Sequence, residues 1–248
     1  MTRIAVLSDV HGNLLALQAV LAEIRREKPD AVLVAGDHVL NGPDPNGAVD
    51  ALRVLESEGA LIVSGNTDIA VGDLDYGAAF PQYQDGVPDV VTAAVEWAHD
   101  ELGDEQLDWL RRLPAERRTR ASDGTLVLVV HASPGSQTRG FDRALDANVI
   151  YERAAATDAR VICVGHTHMP EVRDLGWKLI VNAGSAGYVF DGDPTASWAM
   201  VSVNEGAVEA EIRRTPFDAL AVATAISERG LPGDVYRAAT VRTGKLVR

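Results

Sequence analysis

Short, unbroken apolar runs alternate with stretches of helical periodicity along this chain. The runs Ile4–Leu7, Ala31–Ala35, Ala60–Val63, Thr125–Val130 and Val161–Val164 are rich in β-branched residues, the pattern of parallel strands buried on both faces. Between the first two, Leu14 to Lys28 carries Leu14, Leu17, Leu21 and Ile24 at helical spacing, and Pro29-Asp30 ends the segment. Pro43-Asp44-Pro45 opens a second helix over roughly Asn46 to Ser57, with Val49, Leu52 and Leu55 facing inward. A βαβαβ order of this kind predicts parallel strands joined by right-handed crossovers. Residues 69–89, densest in Gly, Asp, Tyr and Pro from Asp73 to Pro88, read as a rim loop.

Two further helices are expected at about Val90 to Leu102 and Asp104 to Leu113, the second stopped by Pro114. The pattern then shifts to short strands. Arg117 to Ala121 and Leu126 to Val130 flank an Asp123-Gly124 hairpin turn. A helix at about Asp146 to Ala156 precedes the Val161 run. Glu171–Asp174, Lys178–Asn182, Ser197–Val203 and Val208–Arg213 then look like a β-meander, with Asn204-Glu205-Gly206 turning the last pair. A helix and tail are expected over about 217–248. Two sheets flanked by helices fit this order better than one doubly wound sheet.

Composition narrows the class. A length of 248 residues with 46% hydrophobic content buries a full core and fits one domain over 1–248. The opening Met1-Thr2-Arg3-Ile4-Ala5-Val6-Leu7 is too short an apolar run for a signal peptide, and no stretch approaches a membrane span. The single Cys163 excludes an intramolecular disulfide and favours the cytoplasm; inside Val161-Ile162-Cys163-Val164 it reads as a small buried strand residue. A net charge of −13 argues against non-specific nucleic-acid binding. Lys and Arg are missing between Arg53 and Arg111 while acids accumulate from Asp68 to Asp108, which reads as a solvated acidic face. Oligomeric state leaves no mark in the sequence.

Five polar segments change the picture. Asp9-Val10-His11-Gly12-Asn13, Gly36-Asp37-His38, Gly65-Asn66-Thr67-Asp68, His131 and Gly165-His166-Thr167-His168 each sit just past one of the apolar runs. In open α/β sheets, ligands gather at the carboxyl ends of strands, so these segments can converge from remote parts of the chain. Asp, Asn and His offer oxygen and imidazole nitrogen, suited to borderline divalent ions, and the lack of Cys argues against a purely structural zinc site. Two such ions about 3.5–4 Å apart can share a carboxylate and a hydroxide, which attacks a phosphoryl group whose oxygens the metals neutralise. A phosphoester is the substrate that fits. The pair His166/His168 at i, i+2 lies on one side of an extended segment, which favours a shared ligand role over two isolated core histidines. An amidohydrolase also uses His-x-His, but early in its barrel, where this chain has Asp-x-His.

In this order the segments resemble the calcineurin-like metallophosphoesterase superfamily, whose signature runs Asp-x-His, Gly-Asp, Gly-Asn-His-Asp/Glu, a lone His, then Gly-His-x-His. The likeness covers most of the chain, including Val181 to Gly187 and Asp191-Gly192-Asp193-Pro194, and weakens after Asp218. It is most similar to the small bacterial and archaeal phosphodiesterase branch. The resemblance implies a four-layer α/β/β/α fold of two sheets flanked by helices. It also implies two divalent ions (Mn, Fe, Zn, Co or Ni, with Mn favoured). Asp9, His11 and His168 would hold the first ion, Asp37 would bridge, and Asn66, His131 and His166 would hold the second. The implied activity is phosphodiester hydrolysis of a small molecule or nucleotide by a metal-bridging hydroxide. Alternatives are a dinucleoside polyphosphate hydrolase, a phosphomonoesterase, or a non-catalytic scaffold on the same fold.

The chain departs from the signature twice. Thr67 stands where the family has the histidine credited with protonating the leaving group, and Asn41 stands where the protein phosphatase branch has a phosphate-gripping Arg. Loss of a general acid and a guanidinium disfavours alkoxide leaving groups such as serine. His38 is the nearest replacement acid in sequence, but packing beneath the site is favoured for it. Asp68, left without its usual histidine partner, is free to bond Thr67, a ligand or water. Asn13 has two open readings: contact with a ligand or substrate, or N-cap of the helix that starts at Leu14. The loop from Asn182 to Gly187 either approaches the metals or makes a tight turn. His99, beside Asp100 and Glu101, reads as a surface residue.

Overall fold

The computed structural model describes residues 1–247. Its elements in chain order are β1 (Thr2–Leu7), α1 (Leu14–Glu27), β2 (Ala31–Val34), α2 (Pro45–Ser57), β3 (Leu61–Ile62), α3 (Asn66–Asp73), α4 (Tyr76–Ala79), α5 (Asp89–Glu101) and α6 (Asp104–Arg112). They continue with β4 (Glu116–Arg120), β5 (Leu126–Val130), α7 (Ala147–Ala155), β6 (Val161–Val164), β7 (Glu171–Asp174), β8 (Leu179–Asn182), β9 (Ala196–Asn204), β10 (Ala207–Thr215), α8 (Ala219–Glu228) and α9 (Asp234–Thr243). One sheet runs β10-β9-β1-β2-β3 and the other β4-β5-β6-β8-β7. In each, a parallel core (β1-β2-β3, β5-β6-β8) is flanked by antiparallel strands.

The strand runs are apolar throughout because both faces are covered. Along β1, Ile4 and Val6 pack between the sheets with Leu33, Val129, Cys163 and Val181, while Ala5 and Leu7 face the layer of α1, α2, α5 and α6. Along β6, Val161 and Cys163 face the other sheet, and Ile162 and Val164 meet Ile150 and Ala154 of α7. The layers are therefore helices, sheet, sheet, helix, as expected. Side-chain caps set the starts of the crossover helices: Asn13 Oδ1 accepts from the Ala16 amide at 3.1 Å, and Asp44 Oδ1 from Gly47 at 2.9 Å.

The expected meander is two hairpins in different sheets. β7 and β8 pair with each other beside β6, whereas β9 leaves that sheet, lies antiparallel to β1 and turns into β10. Alternation within each hairpin is the same in either arrangement, so sheet membership was not encoded locally. Within 69–89 the chain is partly helical: α3 runs on to Asp73 and α4 covers Tyr76–Ala79. The C-terminal segment forms the α8–α9 hairpin, which packs Val222, Ile226, Leu231 and Val241 against Tyr188.

Candidate metal centre

Four buried side chains from three loops meet at the carboxyl edge of the first sheet: the ligand atoms of Asp9, His11, Asp37 and His168 all lie within 4.8 Å of one another. His168 Nε2 is 3.2 Å from Asp9 Oδ1 and 3.1 Å from His11 Nε2. His11 Nε2 is 3.7 Å from both Asp9 Oδ1 and Asp37 Oδ2. A second cluster adjoins the first. Asn66 Oδ1 stands 3.0 Å from His131 Nε2 and 3.1 Å from His166 Nδ1, and those two nitrogens are 3.1 Å apart. Asp37 faces both groups, one oxygen toward His11 and the other 3.4 Å from His131 Nε2. All seven residues expected as metal ligands are thus brought together.

The protein around them is built to hold these positions. His11 Nδ1 donates to the Leu40 carbonyl (2.7 Å), His131 Nδ1 to the Ala35 carbonyl (2.7 Å), and His168 Nδ1 to the Tyr188 carbonyl. Each bond fixes the tautomer and turns the Nε2 lone pair into the cluster, the usual support of a metal-binding imidazole. Lone pairs so aimed, 3.1 Å apart, repel unless a proton or cation lies between them. That spacing matches one edge of a coordination polyhedron with about 2.0–2.1 Å metal–nitrogen bonds. Asp9 Oδ1 is buried with no hydrogen-bond partner, an acceptor that a cation satisfies. The donor set therefore fits divalent metal.

Backbone strain is concentrated in the same place. Asp9, His11, Asp37, His166 and His168 all have φ between 51 and 68°, a left-handed conformation that non-glycine residues rarely adopt and that costs about 1–3 kcal/mol each. Two motif glycines have a packing reason. A Cβ at Gly65 would sit 2.1 Å from Asp37 Oδ1, and one at Gly165 would sit 1.9 Å from Ser8 Oγ and 2.1 Å from Asp9 Oδ2. Hence glycine precedes a candidate donor in both motifs.

The buried carboxylates and imidazoles shift one another's protonation. Burial works against ionisation of Asp9 and Asp37, but His168 beside Asp9 and His131 beside Asp37 outweigh it and hold both carboxyls below the usual range. Burial lowers the pKa of His131, yet Asp37 and Asp9 raise it to about 10. His166 is pushed down to about 4 by burial and by its neighbour His131.

The remaining candidates sit outside the clusters. Asn13 is the N-cap, and its amide also donates to the Gly187 carbonyl at 2.9 Å, so both ends of the side chain serve the scaffold. Asp68 accepts the backbone amides of Gly65, Asp37 and His38 at 2.7–2.9 Å, clamping the Asp37 turn from below. His38 lies beneath the site: its Nε2 donates to the Val63 carbonyl at 3.0 Å and its ring lies 5.6 Å from Trp109. The Thr67 amide donates to Asp37 Oδ1 at 2.9 Å, while its buried hydroxyl has no partner. Ser185 Oγ and the Ala186 and Gly187 amides bond the carbonyls of Asp9 and Ser8, so the 182–187 loop props the Asp9 turn. His99 is half-buried rather than on the surface, its Nδ1 donating to Val71 of α3 at 2.6 Å.

Sequence reasoning missed one residue beside the loop that carries Asp37 and Asn41. Arg237 of α9 reaches back 196 positions and donates from Nε to Asn41 Oδ1 at 3.1 Å. It lies beyond Asp218, where the motif likeness weakens, and no local pattern marks it.

Fold, donor clusters and motifs together define a metal-dependent phosphoester hydrolase. The chain matches the calcineurin-like phosphoesterase superfamily domain over residues 2–206 and belongs to that family. An uncharacterized protein of Methanocaldococcus jannaschii is 29% identical over 233 residues, covering 87% of this chain and 88% of that one. A symmetrical bis(5'-nucleosyl)-tetraphosphatase of Acidovorax is 32% identical over 125 residues, 50% of this chain and 41% of that protein. The crystal structure of a metallophosphoesterase from Sphaerobacter thermophilus superposes with a TM-score of 0.75 at 28% identity, over 98% of this chain and 99% of that one. A hypothetical protein from Pyrococcus horikoshii shares the fold, with a TM-score of 0.83 at 22% identity, over 98% and 99% of the two chains.

Proposed function

We propose that the chain is a dinuclear phosphodiesterase acting on a small-molecule or nucleotide substrate. The observation that carries this reading is the placement of Asp37, with one carboxylate oxygen toward His11 and the other toward His131. Asp9, His11 and His168 would hold one ion and Asn66, His131 and His166 the other, with Asp37 placed to serve both. Bound divalent ions, Mn favoured among Mn, Fe, Zn, Co and Ni, lower the pKa of water to near neutrality and offset phosphoryl charge. The protein's part is to fix the donors. Backbone carbonyls orient three imidazoles, and Asp68 holds the Asp37 turn in place.

Substrate preference follows from what surrounds the clusters. Thr67 cannot donate a proton at neutral pH as an imidazolium does, and His38 points to Val63 instead. A leaving group that departs as a stable anion needs no such acid. Aryl diesters meet that condition, and so do the anhydride bonds of nucleoside polyphosphates, which expel a phosphate anion. The alternative of a dinucleoside polyphosphate hydrolase draws specific support from the Acidovorax relative. The sole thiol, Cys163, is buried, and burial pushes it up to about 12, in keeping with an unreactive cytoplasmic cysteine. Among the described residues no helix is long and apolar enough to cross a membrane.

The test is hydrolysis of a bis-aryl phosphate diester beside its aryl monoester, using metal-stripped protein with Mn, Co, Zn or Mg added back. Faster, metal-dependent diester cleavage is expected. Preference for a symmetrical dinucleoside tetraphosphate over the diester would favour the alternative. No turnover of any ester with two ions bound would leave a binding scaffold.

A further inference from the structure

Among the described residues Arg237 is the most deeply buried arginine, 9% exposed, and its guanidinium has no carboxylate partner there. Half-buried Arg214 and Arg3 are paired with carboxylates, Arg214 with Asp191 and Asp193 and Arg3 with Glu27, whereas Arg160, also half-buried, shares with Arg237 the lack of one. In a chain of net charge −13 with 36 acidic residues, an unpaired buried cation does not result from a shortage of anions. Guanidinium stays ionised at any physiological pH, so its desolvation is not relieved by losing a proton. A lone amide oxygen, Asn41 Oδ1, offsets only part of its desolvation.

The surroundings make room for this charge. Gly233, at φ 73°, lies against it, and a Cβ there would sit 2.3 Å from Arg237 Nη1. Val90 of α5 lies on one side of this glycine, and Arg237's other neighbours, Asn41 and Tyr188, adjoin the donor clusters without belonging to them. Asn41 follows Leu40, whose carbonyl orients His11. The ionisable group beside Arg237 is the Tyr188 phenol, and the Tyr188 ring lies 5.8 Å from that of His11 and 6.0 Å from that of His168. The guanidinium thus stands one residue removed from the His11/His168 side of the centre, behind Asn41 and Tyr188, with Nη1 and Nη2 left over beyond the Nε that Asn41 takes.

We propose that Arg237, delivered by the C-terminal helix, binds a phosphate oxygen of the substrate beside the His11/His168 cluster. The proposal rests on the phosphoesterase reading and names the group that recognises the anion there. A phosphate is the complement of the guanidinium fork, accepting two N–H bonds in one plane, and it supplies the charge this arginine lacks. It also gives an acidic protein a local cation where an anionic ester must approach.

The experiment uses the full-length, metal-loaded protein and the variants Arg237→Lys and Arg237→Met. Calorimetric binding of inorganic phosphate is measured alongside KM and kcat on the bis-aryl diester and metal content per chain. Loss of charge-assisted bonds should weaken phosphate binding and raise KM about tenfold or more in Arg237→Met, with a smaller effect in Arg237→Lys and metal content unchanged. Phosphate affinity within twofold of wild type in either folded variant overturns the proposal, as does a wild-type holoprotein that shows no saturable phosphate binding. Should Arg237→Met fail to fold, Arg237→Lys carries the test. The two readings fail separately: arginine-dependent phosphate binding without ester turnover sinks the hydrolase, and turnover with arginine-independent phosphate binding sinks the anion site.

Discussion

The two donor clusters share Asp37 but are made differently. In the Asp9/His11/His168 cluster both imidazoles are buried, present Nε2, and have Nδ1 tied to the main chain. Asp9 adds a second carboxylate. The Asn66/His131/His166 cluster has a neutral amide in its place, and one of its two imidazoles, His166, is only half-buried and turns Nδ1 inward. Asn66 is itself held by the rim, its amide donating to the Ala79 carbonyl of α4 at 3.2 Å. One cluster is part of the sheet edge; the other leans on a peripheral segment. More negative charge and fewer free torsions should make the first the tighter metal site.

The harshest way to break this comparison is to remove what the clusters share. Asp37→Asn should abolish the bridging charge and reduce metal-dependent turnover on the order of a thousandfold or more, with loss of ions from both clusters. Metal analysis after gel filtration, paired with diester kinetics, checks it. Retention of two ions and full turnover would show that Asp37 is not the link.

Removing a donor from one side sharpens the contrast. Asn66→Ala should weaken only the looser of two calorimetric binding steps, by about 10–100-fold, leaving the tighter step intact. Equal loss from both steps would mean that the clusters act as one unit. Gly165→Ala attacks the packing behind the other side, where its Cβ meets Ser8 Oγ and Asp9 Oδ2. It should cost about 1–3 kcal/mol in denaturant unfolding.

Much of this was legible in the sequence, for a physical reason. Strands covered on both faces must be continuously apolar, so Ile4–Leu7 and Val161–Val164 declared themselves, and the candidate donors follow where the apolar residues stop. The glycines before Asn66 and His166 were visible as motif letters, and the structure shows the collision each avoids. Other features leave no letter. The acceptors that orient His11, His131 and His168 are main-chain carbonyls of Leu40, Ala35 and Tyr188, which any residue carries. Placement of β9–β10 beside β1, and of Arg237 beside Asn41, depends on contacts some 200 residues apart, and local periodicity is silent on both.

Protonation offers a milder probe. In the metal-free protein Asp37 and Asp9 keep His131 charged up to about pH 10, whereas the unfolded histidine titrates near 6.5. A folded pKa above the unfolded one contributes stability that is complete below about pH 6.5 and is lost as pH rises toward 10. Metal must displace the same proton. Uptake at the looser step should therefore release a proton and strengthen with pH through the neutral range, while stability of the metal-free form declines from pH 6.5 upward. Denaturation at pH 6 and 9, with calorimetry in buffers of different ionisation enthalpy, reads both. A pH-independent second step would contradict the His131 assignment.

The smallest expected effect tests whether main-chain anchoring is what distinguishes the tighter cluster. Tyr188 supports His168 through its carbonyl, and its phenol lies beside Thr240 and Arg237. Tyr188→Phe keeps the carbonyl and the buried ring and removes only the hydroxyl. Stability should fall by about 1 kcal/mol or less, and affinity at the tighter metal step should stay within about threefold of wild type. A larger fall in that affinity would show that the side chain, and through it the α8–α9 hairpin, helps to set the His168 ring. The tighter cluster would then lean on a peripheral segment as the looser one does.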